Sequence, residues 1–341
     1  MFFSDRDAAM RTKSVIFHDY PPDDGDVFGQ GRRERIGELT ELYPDVINAG
    51  NFEYHVAALS EVEVIFATWG MPRFTDRHFS QMPKLKAVFY AAGNVKAFAE
   101  PLIQRDVTLV SAWGINAIPV SEMCLSQILL SLRGYFRAVR RYDEIKTHEA
   151  KVFRRSGVFG ETVGLIGLGK IGARLRTLLA NYSVKVIAYD PFLTPERAKA
   201  LDVESVSLRQ VFERSLVVSN HIPDLESTQQ VLTAAHFGAM RDGATFINTG
   251  RGAQVVEPDL IQVLSDRPDL TALLDVTSPE PPPKDSALWT LPNVIISPHV
   301  GGTIGDEVVR LADCVIEEFE RWSAGQPLEY EVTSEVLATM G

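Results

Sequence analysis

Cysteine is nearly absent from this chain: Cys124 and Cys314 are the only two in 341 residues. They form no CxxC pair and have no neighbouring histidine, which argues against a disulfide framework or a thiolate metal site, so two buried thiols and no metal are expected. Positive charge is also scarce. With 34 Lys and Arg against 45 Asp and Glu, the formal net charge is -11. Nucleic acid and anionic membrane surfaces would repel such a chain at long range, so neither is expected as a partner. An anionic small molecule stays open wherever basic groups gather locally. No uninterrupted apolar run approaches the roughly 18 residues of a bilayer span, and residues 1–13 scatter charges without an apolar segment. A cytoplasmic location is the expectation. Repeats and low-complexity tracts are missing too, and 45% hydrophobic with 23% charged residues is an ordinary globular balance. The length exceeds the roughly 250 to 300 residues at which one core stops growing, so two domains with a cleft are expected.

Short β-branched and aromatic runs alternate with amphipathic segments across residues 14–112, with strand candidates at 15–17, 62–67, 87–90 and 107–110. This alternation predicts an α/β domain with a parallel sheet. Pro119 then opens a helical pattern that runs through Lys146, long enough to bridge two domains. A second series predicts six strands, at 163–168, 185–189, 216–220, 244–248, 272–276 and 294–297, the complement of a doubly wound sheet. A last amphipathic helix carries Val308, Leu311, Val315, Phe319 and Trp322 and ends near Gly325, leaving a short tail.

Gly167-Leu168-Gly169-Lys170-Ile171-Gly172 lies between the strand ending at Ile166 and a helix through Leu175 and Leu179. In that setting the first glycine serves a tight turn, the second lets backbone approach a pyrophosphate, and the third lets helix and strand pack closely. The helix N-terminus then offers free N–H groups to the anion. Asp190 ends the next strand 18 residues after Gly172, near the spacing of a carboxylate that binds the adenine ribose diol. Asp190 would repel a 2'-phosphate, and Pro191-Phe192-Leu193 places no arginine beside it. NAD is therefore expected over NADP.

Three ionisable residues follow strands of the second series, on the edge where open α/β sheets bind ligands: Arg251, Glu280 and His299. A guanidinium can grip a planar carboxylate bidentately and polarise an adjacent carbonyl. Hydride arriving at a carbonyl carbon leaves charge on oxygen, and a histidine can give the proton and take it back in reverse. A carboxylate on the far ring nitrogen would orient that histidine and favour its imidazolium form. The segments Asn248-Thr249-Gly250-Arg251-Gly252, Asp275-Val276-Thr277-Ser278-Pro279-Glu280-Pro281 and Ser297-Pro298-His299-Val300-Gly301-Gly302, with the glycine fingerprint, resemble the signatures of the D-isomer-specific 2-hydroxyacid dehydrogenases.

The resemblance implies two Rossmann-like or flavodoxin-like domains with doubly wound parallel sheets. A cofactor domain at 119–303 would be inserted into a substrate domain made of 1–118 and 304–341. It implies Arg251, Glu280 and His299 as the catalytic set, and Asp275 beside the nicotinamide amide. His221, in Ser219-Asn220-His221-Ile222-Pro223, matches a family pattern beside the cofactor and reads either as structural or as cofactor-adjacent. Pro223, Thr228, Thr249, Gly250, Gly301 and Gly302 complete the implied cofactor contacts. A homodimer joined through the cofactor domain is also implied.

On the substrate side, Tyr90-Ala91-Ala92-Gly93 resembles the family loop whose backbone N–H groups hold the substrate carboxylate, making Ala92 and Gly93 candidates. Asn94-Val95-Lys96 departs from the Val-Asp pair usual after that glycine. Lys96 reads either as a contact for a second anionic group or as a solvated lysine at a helix start. Trp69 and Trp113 end strands and read either as pocket wall or as core. The expected function is hydride transfer between NAD(H) and C2 of a small 2-keto or 2-hydroxy acid, such as glyoxylate, hydroxypyruvate or a phosphoglycerate-like compound. A NAD-sensing protein resembling the C-terminal-binding corepressors is the alternative of another class. Formate dehydrogenase ranks below it, because that branch resembles this pattern with a glutamine where Glu280 stands.

Overall fold

The computed structural model describes residues 11–19, 26–150 and 157–340. Residues 1–10, on which part of the amino-terminal expectation rests, lie outside that range. The chain forms two compact units. One contains Met1–Asn116 and Thr303–Met340, the other Ala117–Gly302.

The first unit is built on five parallel strands: β1 (Lys13–Phe17), β2 (Glu41–Ile47), β3 (Val64–Ala67), β4 (Ala87–Tyr90) and β5 (Thr108–Ser111). Their order, β2-β1-β3-β4-β5, is the flavodoxin-like one. Strands β3 and β4 are buried throughout, which explains their unbroken apolar sequence in a sheet covered on both faces. Sequence periodicity missed β2. It is an edge strand paired to β1 alone, with only Ile47 buried, and Pro44 falls where the register slips between its two short runs of pairing. A proline is tolerated at such a place because no ladder hydrogen bond is lost.

Helix Val309–Ser323 returns to this unit and buries Leu311, Val315 and Phe319, with the Phe319 ring 5.4 Å from Phe66 and 5.6 Å from Phe89. The segment after it is more than a tail. The buried Glu318 carboxylate accepts from the backbone N–H of Glu329 at 2.9 Å and of Tyr330 at 3.0 Å, and a further helix forms at Ser334–Thr339.

The second unit carries seven parallel strands: β6 (Thr162–Ile166), β7 (Lys185–Tyr189), β8 (Glu204–Ser205), β9 (Val217–Asn220), β10 (Thr245–Asn248), β11 (Thr271–Leu274) and β12 (Val294–Ile296). The order β12-β11-β10-β9-β6-β7-β8 is the doubly wound dinucleotide-binding order with one strand added, and its switch point lies between β6 and β9. Six strands were expected. The seventh, β8, has two exposed residues and no apolar signal.

The long helix expected from Pro119 to Lys146 is two helices, Trp113–Leu132 and Tyr135–Ile145, separated at Gly134, whose φ is +67°. A left-handed residue ends a helix, and glycine adopts that conformation without Cβ strain. Pro119 lies inside the first helix rather than at its start. There it removes the N–H that would bond the Ile115 carbonyl, next to the point where the chain passes from one unit to the other. By length and composition Trp113–Leu132 is apolar enough to cross a membrane, which periodicity alone had not suggested. Its apolar residues have another use, since Val120, Cys124, Ile128 and Leu132 are buried in the core of the second unit.

Candidate active site

The glycine turn sits at the switch point. Gly167 has φ +87°, and a Cβ there would come 2.6 Å from the His221 carbonyl oxygen, so the chain leaving β9 crosses directly over it. Gly172 packs against Gly167, with a Cβ meeting the Gly167 oxygen at 2.1 Å. Gly169 differs from both: a Cβ there would meet nothing within 4 Å. Two glycines are thus required by protein packing, while the middle one borders open space where a pyrophosphate can approach backbone. Leu168 is buried, Lys170 and Ile171 begin helix Lys170–Leu179, and the residues fit a dinucleotide.

Asp190 follows β7 and accepts from Leu168 N–H at 2.7 Å and Phe192 N–H at 2.8 Å. Sequence reading missed a cation here. Arg197, on the next helix, donates from Nη2 to the Leu168 carbonyl at 2.5 Å. Five residues separate it from Pro191, and only the fold carries it back to the glycine turn.

On the other side of the switch point His221 is buried, with Nε2 2.9 Å from Ser219 Oγ. Burial pushes its pKa down to about 4, so the imidazole is neutral at physiological pH. Thr228 turns its hydroxyl inward, donating to the Pro223 and Leu225 carbonyls, and thereby shapes the loop rather than presenting a donor outside it. Thr249 faces the Cys124 thiol at 3.2 Å. Burial pushes that thiol up to about 11, which suits an inert packing residue.

The adjacent strands β10, β11 and β12 end side by side and launch the three loops of the catalytic set. Arg251 follows β10, and its Nη1 donates to the Gly250 carbonyl at 2.7 Å. The next residue, Gly252, lies against the backbone of Thr277 in the loop after β11. That loop carries Glu280, whose Oε1 stands 2.6 Å from His299 Nδ1. Both side chains are close to half exposed, so the ring's other nitrogen, Nε2, is available for a reacting oxygen. His299 holds φ +55°, a left-handed conformation unusual for a residue with a side chain and one that tends to persist where a site imposes it. The structure therefore brings Glu280 and His299 into direct contact and sets Arg251 on the neighbouring strand end.

Asp275 is buried and spends its carboxylate on the His299 loop. Oδ1 accepts from Ser297 Oγ at 2.5 Å and Val300 N–H at 3.0 Å, and Oδ2 accepts from Gly301 N–H at 2.8 Å. A Cβ on Gly301 would approach Asp275 Oδ2 to 2.8 Å. These bonds fix where the imidazole stands. Glu257 Oε2 accepts from Ser278 N–H at 3.4 Å, a second brace on the Glu280 loop that sequence reading did not pick out. Gly250 lies against buried amides, a Cβ there coming 3.0 Å from Gln254 Oε1 and 3.2 Å from Asn220 Nδ2, and Gly302 is half-buried.

In the first unit, Ala92 and Gly93 follow β4. The Ala92 N–H donates to the Tyr90 carbonyl at 2.9 Å, so it is engaged within the loop, whereas the Gly93 N–H makes no hydrogen bond among the described residues. Ser111 Oγ holds both carbonyls, at 2.8 and 2.7 Å. The departure at Asn94-Val95-Lys96 has a structural content: Asn94 Oδ1 accepts from Lys96 N–H at 2.9 Å, and Val95 is fully buried in the core. Trp69 packs against that core and Trp113 stacks edge-on with Tyr330, 5.6 Å between ring centres.

Comparison with known proteins points the same way. Residues 125–301 match the family described as D-isomer specific 2-hydroxyacid dehydrogenase, NAD binding domain. The chain is 29% identical over 311 residues to the putative 2-hydroxyacid dehydrogenase YoaD of Bacillus subtilis, covering 89% of this chain and 84% of that protein. It is 30% identical over 229 residues to a D-3-phosphoglycerate dehydrogenase of Archaeoglobus fulgidus, covering 67% of this chain but 43% of that longer protein. Among solved structures, a phosphoglycerate oxidoreductase from Rhizobium etli superposes with a TM-score of 0.78 at 22% identity, covering 96% of this chain and all of that one. At that identity the likeness speaks for the fold.

Proposed function

Because this chain belongs to the D-isomer-specific 2-hydroxyacid dehydrogenases, we propose that it is an NAD-dependent 2-keto acid reductase and D-2-hydroxyacid dehydrogenase. Its substrate would be a small acid of the glyoxylate, hydroxypyruvate or phosphoglycerate-like kind. The observation that carries this reading is the 2.6 Å contact between His299 Nδ1 and Glu280 Oε1 beside the strand end that bears Arg251. Bound NAD(H) supplies the hydride donor or acceptor. The turn Gly167 to Gly172, with Asp190, would hold its pyrophosphate and adenine ribose.

The chain's own side chains account for the rest. Arg251 would grip the substrate carboxylate and draw charge toward the C2 oxygen, a task for a forked, permanently charged donor. In reduction His299 Nε2 gives its proton to that oxygen, and in oxidation it takes the proton back. Glu280 Oε1 holds Nδ1 and so fixes the orientation of the ring, leaving Nε2 to exchange the proton. Asp275 fixes the loop on which the ring is mounted. Gly93 is the candidate for backbone contact with the substrate carboxylate, and Lys96 for a second anionic group.

Loss of NADH absorbance with glyoxylate, hydroxypyruvate, pyruvate, phenylpyruvate and phosphohydroxypyruvate tests the reading, with one substrate expected to stand well above the others. Uniformly negligible rates alongside tight NADH binding would favour a NAD-sensing protein instead. Glu280, where a formate dehydrogenase would resemble this pattern with glutamine, speaks against that activity.

We assign a homodimer joined through the second unit to the same reading. Helix Tyr135–Ile145 leaves Tyr135, Val139 and Tyr142 about half exposed, and Tyr135 and Val139 line a cavity of about 310 Å³ together with Ile295. A patch of that kind marks an association surface. Light scattering should return a mass near twice 37.8 kDa; a mass of one chain at micromolar concentration would remove this assignment. The expected cytoplasmic location belongs to this reading as well.

A further inference from the structure

Beneath the catalytic loops lies a buried polar cluster that the mechanism above leaves unused. Gln254 is completely buried, six residues beyond the end of β10, with apolar Val255 and Val256 following it. A buried amide needs partners, and Gln254 has four. Its Nε2 donates to the Ile222 carbonyl at 2.7 Å and to the Pro223 carbonyl at 3.0 Å. Its Oε1 accepts from Asn220 Nδ2 at 2.6 Å and from the Arg251 backbone N–H at 3.3 Å. Asn220 in turn donates to Asn248 Oδ1 at 3.0 Å, and Asn248 Nδ2 donates to the Arg251 carbonyl at 3.2 Å.

The two ends of this amide serve different loops. Nε2 holds the chain after β9, which crosses Gly167 at the switch point. Oε1 and Asn248 hold the backbone of Arg251 from both its N–H and its carbonyl. One side chain therefore sets the distance between the loop flanking the dinucleotide site and the loop presenting the guanidinium. We infer that Gln254 is a positioning residue that keeps Arg251 in register with the His221–Pro223 segment, so that keto-acid grip and dinucleotide binding depend on the same amide. The inference rests on the proposed reductase reading for its account of Arg251.

Gln254→Met retains length and apolar volume while deleting all four bonds. The expected result is a fall of roughly 10- to 100-fold in kcat/KM for the best keto acid, the scale seen when supports of a site are removed, carried mainly by a raised KM. NADH binding, followed by its fluorescence, should weaken several-fold. A double-mutant cycle with Arg251→Lys separates positioning from general loosening: if Gln254 acts through Arg251, the Gln254→Met effect on kcat/KM shrinks in the Arg251→Lys background. Full additivity of the two losses would overturn the inference, as would wild-type kinetics and NADH affinity in Gln254→Met. Should the Met variant fail to fold, Gln254→Asn, which keeps the amide but cannot span both loops, is read in the same cycle. If wild type turns over no keto acid, the functional reading fails on its own, and NADH titration decides the inference: weakened binding in a folded variant supports it, unchanged binding sinks it.

Discussion

Gly252 and Thr277 touch backbone to backbone: a methyl on Gly252 would lie 2.0 Å from the Thr277 carbonyl carbon and 2.1 Å from its oxygen. Arg251 is one residue before this contact and Glu280 three residues after it in the other loop, so the two loops bearing these candidate catalytic residues are stacked at a place that tolerates no side chain. Gly252→Ala must push them apart. Displacements near 1 Å can cost about 10²-fold in rate, and an overpacked site typically loses about 1 to 3 kcal/mol of stability. Steady-state kinetics and a thermal melt read the two effects separately. Wild-type kcat/KM in this variant would mean that the loops move independently.

The His299 and Glu280 contact predicts a graded series. His299→Ala removes the proposed proton-exchanging group and should lower kcat by roughly 10²- to 10⁴-fold, the range of general acid catalysis, with NADH affinity little changed. Glu280→Gln retains an acceptor for Nδ1 but not its charge, and should fall between wild type and His299→Ala. If Glu280→Gln were the more damaging of the two, histidine would not be the proton donor.

Leu168 is held from both sides, its N–H by Asp190 and its carbonyl by Arg197. Asp190→Ala should relax the preference for NADH over NADPH, because it removes the anion opposing a 2'-phosphate while the Arg197 guanidinium stays nearby. The double variant Asp190→Ala/Arg197→Ala should lose NADPH activity again. An equal NADPH rate in the single and double variants would show that Arg197 lies too far off to matter.

How much of this was legible in the sequence follows from the range of each interaction. The glycine turn, Asp190 and the three candidate catalytic residues carry local signatures, because tight turns and strand ends impose residue types within a few positions. The helix break at Gly134 was hidden because apolar spacing continues on both sides of a single left-handed residue. Strand β2 was hidden because an exposed edge with Pro44 shows no alternation. Arg197 and Gln254 are long-range cases. Arg197 reaches a carbonyl 29 residues away and Gln254 reaches carbonyls 31 and 32 residues away, and no periodicity records such contacts. A polar residue within the apolar stretch around Val255 and Val256 was the one available hint of Gln254.

His221 supplies a prediction about stability rather than rate. Its imidazole is buried with a pKa near 4, whereas in the unfolded chain it titrates near 6.5. Between those values the unfolded state binds a proton that the native state refuses, so native stability falls as pH drops through this window. The loss is absent above about pH 6.5, grows toward pH 4 and is then complete, amounting to at most roughly 3 kcal/mol at ~1.4 kcal/mol per pKa unit. Gln at this position can still bond Ser219 and carries no titrating group. Urea midpoints of wild type and His221→Gln, followed by circular dichroism from pH 7.5 to 4, should therefore converge or cross as pH falls, wild type losing stability faster. Parallel curves would mean that the imidazole finds a proton-accepting partner in the native state and that burial does not govern its titration.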